Sequence, residues 1–203
     1  MRTKIFFLAF MLVFSVITAH AQHEETVLGD RNLGFSGFWV GTKHQLARFG
    51  SANQYVTGWN VGFEFGKALT VGFGGYNLHD DILWDNVPNQ RFDMDWKVFS
   101  LGYGVQSFRA VHPMINLDAG RGKVKLLNED IEDRVLVVQP SAGVEINIFR
   151  WMHLGLEGGY RFVSDSDLAS ISDRQLSGAF GQATLKFGFS WGRYRKSDNR
   201  RDD

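Results

Sequence analysis

The chain contains no cysteine among its 203 residues. A disulfide framework, a thiolate zinc site, a Cys nucleophile and a lipidated N-terminal cysteine are therefore excluded. Proline is scarce, at three residues, so there is no Pro-rich linker. Neither sign of charge is in excess, with Lys+Arg 22 and Asp+Glu 22, which argues against a broadly basic nucleic-acid binder. No stretch reaches the ~20 apolar residues that a spanning helix needs. What is abundant is glycine, at 23 residues, and phenylalanine, at 18. With 44% hydrophobic residues this is not the composition of a disordered chain, and the length argues for one domain.

The N-terminus reads as an export address. Arg2 and Lys4 precede Ile5–Ile17, a run in which Ser15 alone is polar, and Ala19-His20-Ala21 follows as an A-x-A-type cleavage site. That order is the form of a secretory signal peptide over residues 1–21. The expected mature chain begins at Gln22, with 22–33 as a periplasmic segment, 34–192 as the folded domain and 193–203 as a polar periplasmic tail.

Period-2 alternation dominates the rest. Trp59, Val61, Phe63 and Phe65 are separated by Asn60, Gly62 and Glu64. Leu69, Val71 and Phe73 continue the pattern, as do Phe99, Leu101, Tyr103 and Val105, and Ile115, Leu117 and Ala119. Val138 to Ile148, Leu154 to Phe162 and Ala183 to Trp191 behave alike. A less regular segment, Gly34–Arg48, makes an eighth strand, in which either Trp39 or Phe38 and Val40 face outward. Strands of this length match the about 9–11 residues of a membrane-crossing strand. The connections at 67–69, 109–113 and 150–152 read as tight turns, and those at 49–58, 78–93, 125–134 and 163–178 as long polar loops. Short turns on one side and long loops on the other predict an all-β, eight-stranded antiparallel up-and-down transmembrane β-barrel.

Alternation alone does not say which face is outside, because a soluble lipocalin-type barrel has the same period. The polar face decides. It carries Gly62, Gly72, Gly74, Gly102, Gly104, Gly143, Gly155, Gly159 and Gly188. Glycines weaken a water-facing strand but make room in a narrow lumen. Glu64, Asp118, Glu145, Glu157, Arg161 and Lys186 are expected to share that lumen as an ion-pair cluster. The apolar face is free of charge across the strand centres, where a lipid-facing charge costs about 2–4 kcal/mol. Trp59 and Trp96 near the loops, and Trp151 and Trp191 near the turns, are expected to form two interfacial girdles.

The segments Pro140-Ser141-Ala142-Gly143-Val144-Glu145-Ile146-Asn147, Gly158-Gly159-Tyr160-Arg161 and Leu185-Lys186-Phe187-Gly188-Phe189-Ser190-Trp191 carry a family resemblance. The chain resembles the small outer-membrane barrels of the OmpA membrane domain and OmpX type. More narrowly, it is similar to proteins described as having an outer membrane protein beta-barrel domain. The last segment resembles the C-terminal assembly signal of such barrels, which often end on the terminal aromatic, whereas here an Arg-rich tail follows Trp191. The resemblance implies residence in the outer membrane among its lipids, insertion by the barrel assembly machinery, a monomer, and no nucleic-acid partner.

Candidate chemistry is sparse. If residues 150–152 form a three-residue turn, Glu145 lies opposite Glu157, and paired carboxylates can do acid–base work. Neutralisation by Arg161 and Lys186 in a packed lumen is the favoured reading, so no catalytic residue is assigned and the protein is expected not to be an enzyme. The His-x-Ser pair of outer-membrane lipid A deacylases does not occur. Gly72-Phe73-Gly74-Gly75 lacks the rest of a phosphate-loop fingerprint. The loops carry Asp80, Asp81, Glu129, Asp130, Glu132, Asp133, Asp165 and Asp167, whose oxygens suit divalent cations that could bridge to anionic lipid. Their spacing matches no calcium loop, so no metal site is assigned and no cofactor is expected. The expected role is structural or surface-binding. The alternatives are a lipid-modifying barrel enzyme and a soluble ligand-binding barrel.

Overall fold

The computed structural model describes residues 34–79, 82–83, 91–126, 131–166 and 172–191. The chain divides into a unit Met1–Asn32, which lies outside the described residues, and a unit from Leu33 onward that contains the sheet. The expected signal peptide, the segment 22–33 and the tail 193–203 all lie outside the described residues.

Eight long strands run β1 (Phe35–Phe49), β2 (Ala52–Phe65), β3 (Leu69–Leu78), β5 (Arg91–Gly104), β6 (Val111–Leu126), β7 (Ile131–Phe149), β8 (Met152–Ser164) and β9 (Gly178–Ser190). A two-residue strand, β4 (Ile82–Leu83), is added to β5, and one helical turn, α1 (Asp173–Leu176), precedes β9. Each long strand pairs antiparallel with its neighbours in sequence, and β1 pairs with β9, which closes the sheet. Successive pairs lead from Gly37 through Glu64, Thr70, Gly102, Asn116, Ser141, Gly159 and Phe180 back to Ala47. The return point lies ten residues further along β1, so the strands are steeply tilted, and a barrel of this size is filled by its own side chains.

Two expected features are corrected. The β1–β2 connection is not a long loop over 49–58 but a two-residue hairpin, Gly50-Ser51, with Phe49 paired to Ala52. Gly50 takes a φ of 55° at the first loop position, where such hairpins call for glycine. The β7–β8 connection is also two residues, Arg150-Trp151, with an irregularity after Asn147. Glu145 therefore faces Gly155, while Glu157 faces Gly143, and the carboxylates are not directly opposed.

The orientation of β1 is settled by burial. Phe38 and Val40 point out, and Trp39 points in. Its indole occupies the space left by Gly62 and Gly72, where an added Cβ would meet the Trp39 ring at 2.6 and 3.2 Å.

Candidate functional site: a lumen in two halves and its outer surface

Along β5 the inward residues are Phe92, Met94, Trp96 and Val98, followed by Ser100 and Gly102. The outward ones are Asp93, Asp95 and Lys97, followed by Phe99 and Leu101. The polarity of the wall thus inverts between Val98 and Phe99. The same inversion occurs on β6, where Ala119 gives way outward to Arg121, Lys123 and Lys125 while Val124 and Leu126 turn inward. On β7, Val135 and Val137 point in and Leu136 and Val138 point out. Towards the loops the barrel is built like a soluble protein, with charges outside and an apolar core inside. Towards the turns it is apolar outside and polar inside.

The loop-side core joins Phe49, Val56, Tyr76, Phe92, Met94, Trp96, Val124, Val135 and Leu176. Trp96, expected in the outer girdle, is instead only 1% exposed within this core. Its ring stacks on Tyr76 at 5.1 Å and its Nε1 donates to Gln139 Oε1 at 2.6 Å. The cause is the inversion: at residue 96 the even positions of β5 point inward, where a girdle residue would have to point out.

The expected ion-pair cluster separates into stations. Lys43 donates to Asp118 Oδ2 at 2.7 Å, and Tyr76 donates to the same oxygen at 2.5 Å. Lys186 donates to Glu145 at 2.6 Å, with His112 Nε2 3.5 Å and His153 Nδ1 3.8 Å from the other carboxylate oxygen. Glu157 accepts from neutral donors, Asn116 and Ser141, each at 2.7 Å. Glu64 accepts from Ser36 at 2.9 Å and Ser190 at 2.7 Å. Arg161, expected among the carboxylates, forms no ion pair among the described residues. It donates to the carbonyls of Leu176 and Arg48 at 2.9 Å each. Lys43, Tyr76 and His112 were not singled out from the sequence. The irregular parity of β1 hid Lys43, and nothing in the local pattern marked the other two.

Between these stations lies a cavity of only ~20 Å³, bordered by Lys43, Asn60, Ser100, Asp118 and Glu157. That is room for about one water molecule. A wider vestibule of ~810 Å³ opens at the turn end, between Glu64, Glu145, Asn147 and His153.

Outside, Phe63, Phe73, Phe99, Ile115, Leu117, Val144, Leu156, Phe187 and Phe189 are exposed around the barrel. At the turn end Trp191 packs edge-on against Phe35 at 5.0 Å, and Trp151 stacks on Phe149 at 5.3 Å. Trp59 lies outside nearer the loops, 5.9 Å from Phe73.

Of the acidic loop residues, Asp80, Asp81, Glu129, Asp130 and Asp167 lie outside the described residues. Glu132 is paired with Lys123 at 2.6 Å and Lys125 at 3.8 Å. Asp133 accepts from the Arg134 N–H at 2.8 Å. Asp165 is exposed, with a φ of 67°. Among the described residues, no group of three metal-binding side chains converges.

No protein-family model matches the chain, and no curated protein matches its sequence. Solved structures do share its architecture. The N-terminal β-barrel domain of Pseudomonas aeruginosa OprF superposes with a TM-score of 0.56 at 8% identity, over 76% of this chain and 98% of that one. Neisserial surface protein A superposes with a TM-score of 0.51 at 15% identity, over 76% and 96%. The chain has the fold of the small outer-membrane β-barrels.

Proposed function

We propose that the protein is an integral outer-membrane barrel that anchors itself in lipid, keeps its lumen shut and presents its loop-side surface outside the cell. One observation carries this reading: a closed sheet whose exposed belt is apolar while its interior at the same level is polar. A soluble barrel would invert that arrangement, as this chain itself does at its loop end. In lipid a sheet must close, because an open edge finds no partner there. The turns and both chain termini then face the periplasm, and export proceeds through cleavage near Ala21 and insertion by the assembly machinery.

The loop-side core supports a closed lumen, since Trp96, Phe49 and Phe92 fill the interior there and only a ~20 Å³ cavity lies among the lumen ion pairs. Wide aqueous channels belong to barrels of about 16 strands. Glu145 binds Lys186 while Glu157 accepts from Asn116 and Ser141, which supports a structural role for the two carboxylates over an acid–base one. A structural and surface-binding role for a monomer is the reading that remains.

Electrophoresis of the detergent-extracted envelope fraction, with and without boiling, tests the membrane assignment. A folded membrane barrel keeps a distinct mobility in cold SDS and shifts on heating. A protein soluble without detergent and showing no shift would overturn it. Planar-bilayer recording tests the closed lumen, with steady single-channel steps as the contrary result.

A further inference from the structure

Cross-strand pairing on the outer wall sets like charges face to face. Lys97 on β5 is directly opposite Arg121 on β6, and Lys123 on β6 is directly opposite Arg134 on β7. All four side chains are exposed. Opposed like charges destabilise a sheet, so two adjacent pairs of the same sign call for an anion between them. Glu132 supplies it for Lys123 and lies near Arg134, but no acid forms an ion pair with Lys97 or Arg121 among the described residues. Glu132 holds Lys123 and Lys125, while Asp95 and Asp93 face Lys123 and Lys125 across the strands. Lys97, Arg121 and Arg134 form no ion pair among the described residues.

The position of the patch says what carries the anion. The next outward residues towards the turns are Phe99, Ala119 and Leu136, where the charged wall gives way to the apolar belt. Ala119 lies between Phe99 and Val138, its partners on either side, and so leaves a shallow furrow directly beneath Arg121. An apolar chain fits the furrow while its head stays at the cations.

Resting on the membrane reading above, we propose that Lys97 and Arg121, with Arg134 beside them, bind the phosphate headgroup of a lipid in the loop-side leaflet. One of its acyl chains would lie along Ala119 between Phe99 and Val138. Arginine favours phosphate through two parallel hydrogen bonds, and Lys97 adds a point charge. The contact is direct and needs no divalent bridge from acidic loops.

The test uses the full mature chain folded in maltoside micelles and titrated by native mass spectrometry. The probes are dipalmitoyl phosphatidic acid, dipalmitoylglycerol (the same chains without phosphate) and inorganic phosphate. Phosphatidic acid is expected to bind well above dipalmitoylglycerol and to survive millimolar inorganic phosphate. K97Q/R121Q is expected to weaken it by about tenfold or more, as loss of charge-assisted hydrogen bonds implies. R150Q, which removes an exposed cation beside the turn-side vestibule, should leave binding unchanged. Equal binding of both lipids, an unaffected double variant, or an equal loss in R150Q would overturn the proposal. Displacement by inorganic phosphate would overturn the lipid as the source of the anion. Each variant is first shown to keep its heat-dependent mobility shift. Absence of that shift in the unaltered chain defeats the membrane reading, whereas a folded barrel without headgroup preference defeats this inference alone.

Discussion

The guanidinium of Arg161 lies 3.8 Å from the centroid of the Phe49 ring, fully buried, with carbonyl oxygens as its hydrogen-bond partners. This one side chain ties the end of α1 at Leu176 to the end of β1 at Arg48. Alanine at 161 removes the stacking and the hydrogen bonds to the buried Leu176 carbonyl and the part-buried Arg48 carbonyl. R161A is expected to lower the unfolding free energy by about 3 kcal/mol and to speed proteolysis within 165–177. Lysine, a single point charge, should rescue little of this. Denaturant titration in micelles with limited proteolysis checks both effects.

Lys43 and Asp118 are the most enclosed ion pair, with side chains 7% and 6% exposed. Removing one partner strands the other charge. K43M is expected to cost about 3–5 kcal/mol, and K43M/D118L much less, because both charges then leave together. A double-mutant cycle from denaturant midpoints measures the coupling.

The two tryptophans expected in the same girdle have opposite environments. In variants retaining one tryptophan each, with phenylalanine at the other five positions, Trp59 should be strongly quenched by brominated phospholipid. Trp96 should be nearly insensitive. Equal quenching would contradict the inversion of the wall between Val98 and Phe99.

Two glycines with identical chemistry should respond differently to the same change. At Gly143 an added Cβ would fall on the carbonyl oxygen of Leu156, whereas at Gly181 it meets nothing within 4 Å. G143A is expected to lose about 3 kcal/mol or more, or to fail to fold, since backbone cannot yield as a flexible side chain does. G181A should fold with an unchanged midpoint. Refolding yield by heat-dependent mobility reads the first, and thermal unfolding the second.

Glu132 lies beyond the apolar belt, where a hydrogen bond from Lys123 and the nearby charges of Lys123, Lys125 and Arg134 hold its carboxyl below the usual glutamate value. A carboxylate with a depressed folded value contributes its stabilisation above the unfolded value and loses it as pH falls through the folded one. The NMR titration midpoint of Glu132 is therefore expected below that of free glutamate and should rise towards it in K123Q. At neutral pH and above its contribution is fully present and constant, so folding equilibria should not vary with pH on account of this group.

The strand pattern, the outward band and the glycine-lined interior were legible in the sequence because a period of two is local. Each residue declares its face relative to its neighbours, and the charge-free outward positions from Val138 to Ile148 tell lipid from water. The inversion was present too, in the adjacent apolar pairs Val98-Phe99 and Val137-Val138, where alternation skips a beat. It is easily passed over, because each pair belongs to two patterns at once. What the sequence could not supply is registry between strands. A turn of two residues at Arg150-Trp151 in place of three, together with the irregularity after Asn147, shifted Glu157 two residues out of line with Glu145. Closure of β1 on β9 set β1 across the lumen from β6, so that Lys43 reaches Asp118, 75 positions away. It also set Lys97 against Arg121 and Lys123 against Arg134. Periodicity is fixed by the backbone of one strand, whereas which charge meets which is fixed by turn length, bulges and barrel shear, and those exist only once the sheet has closed.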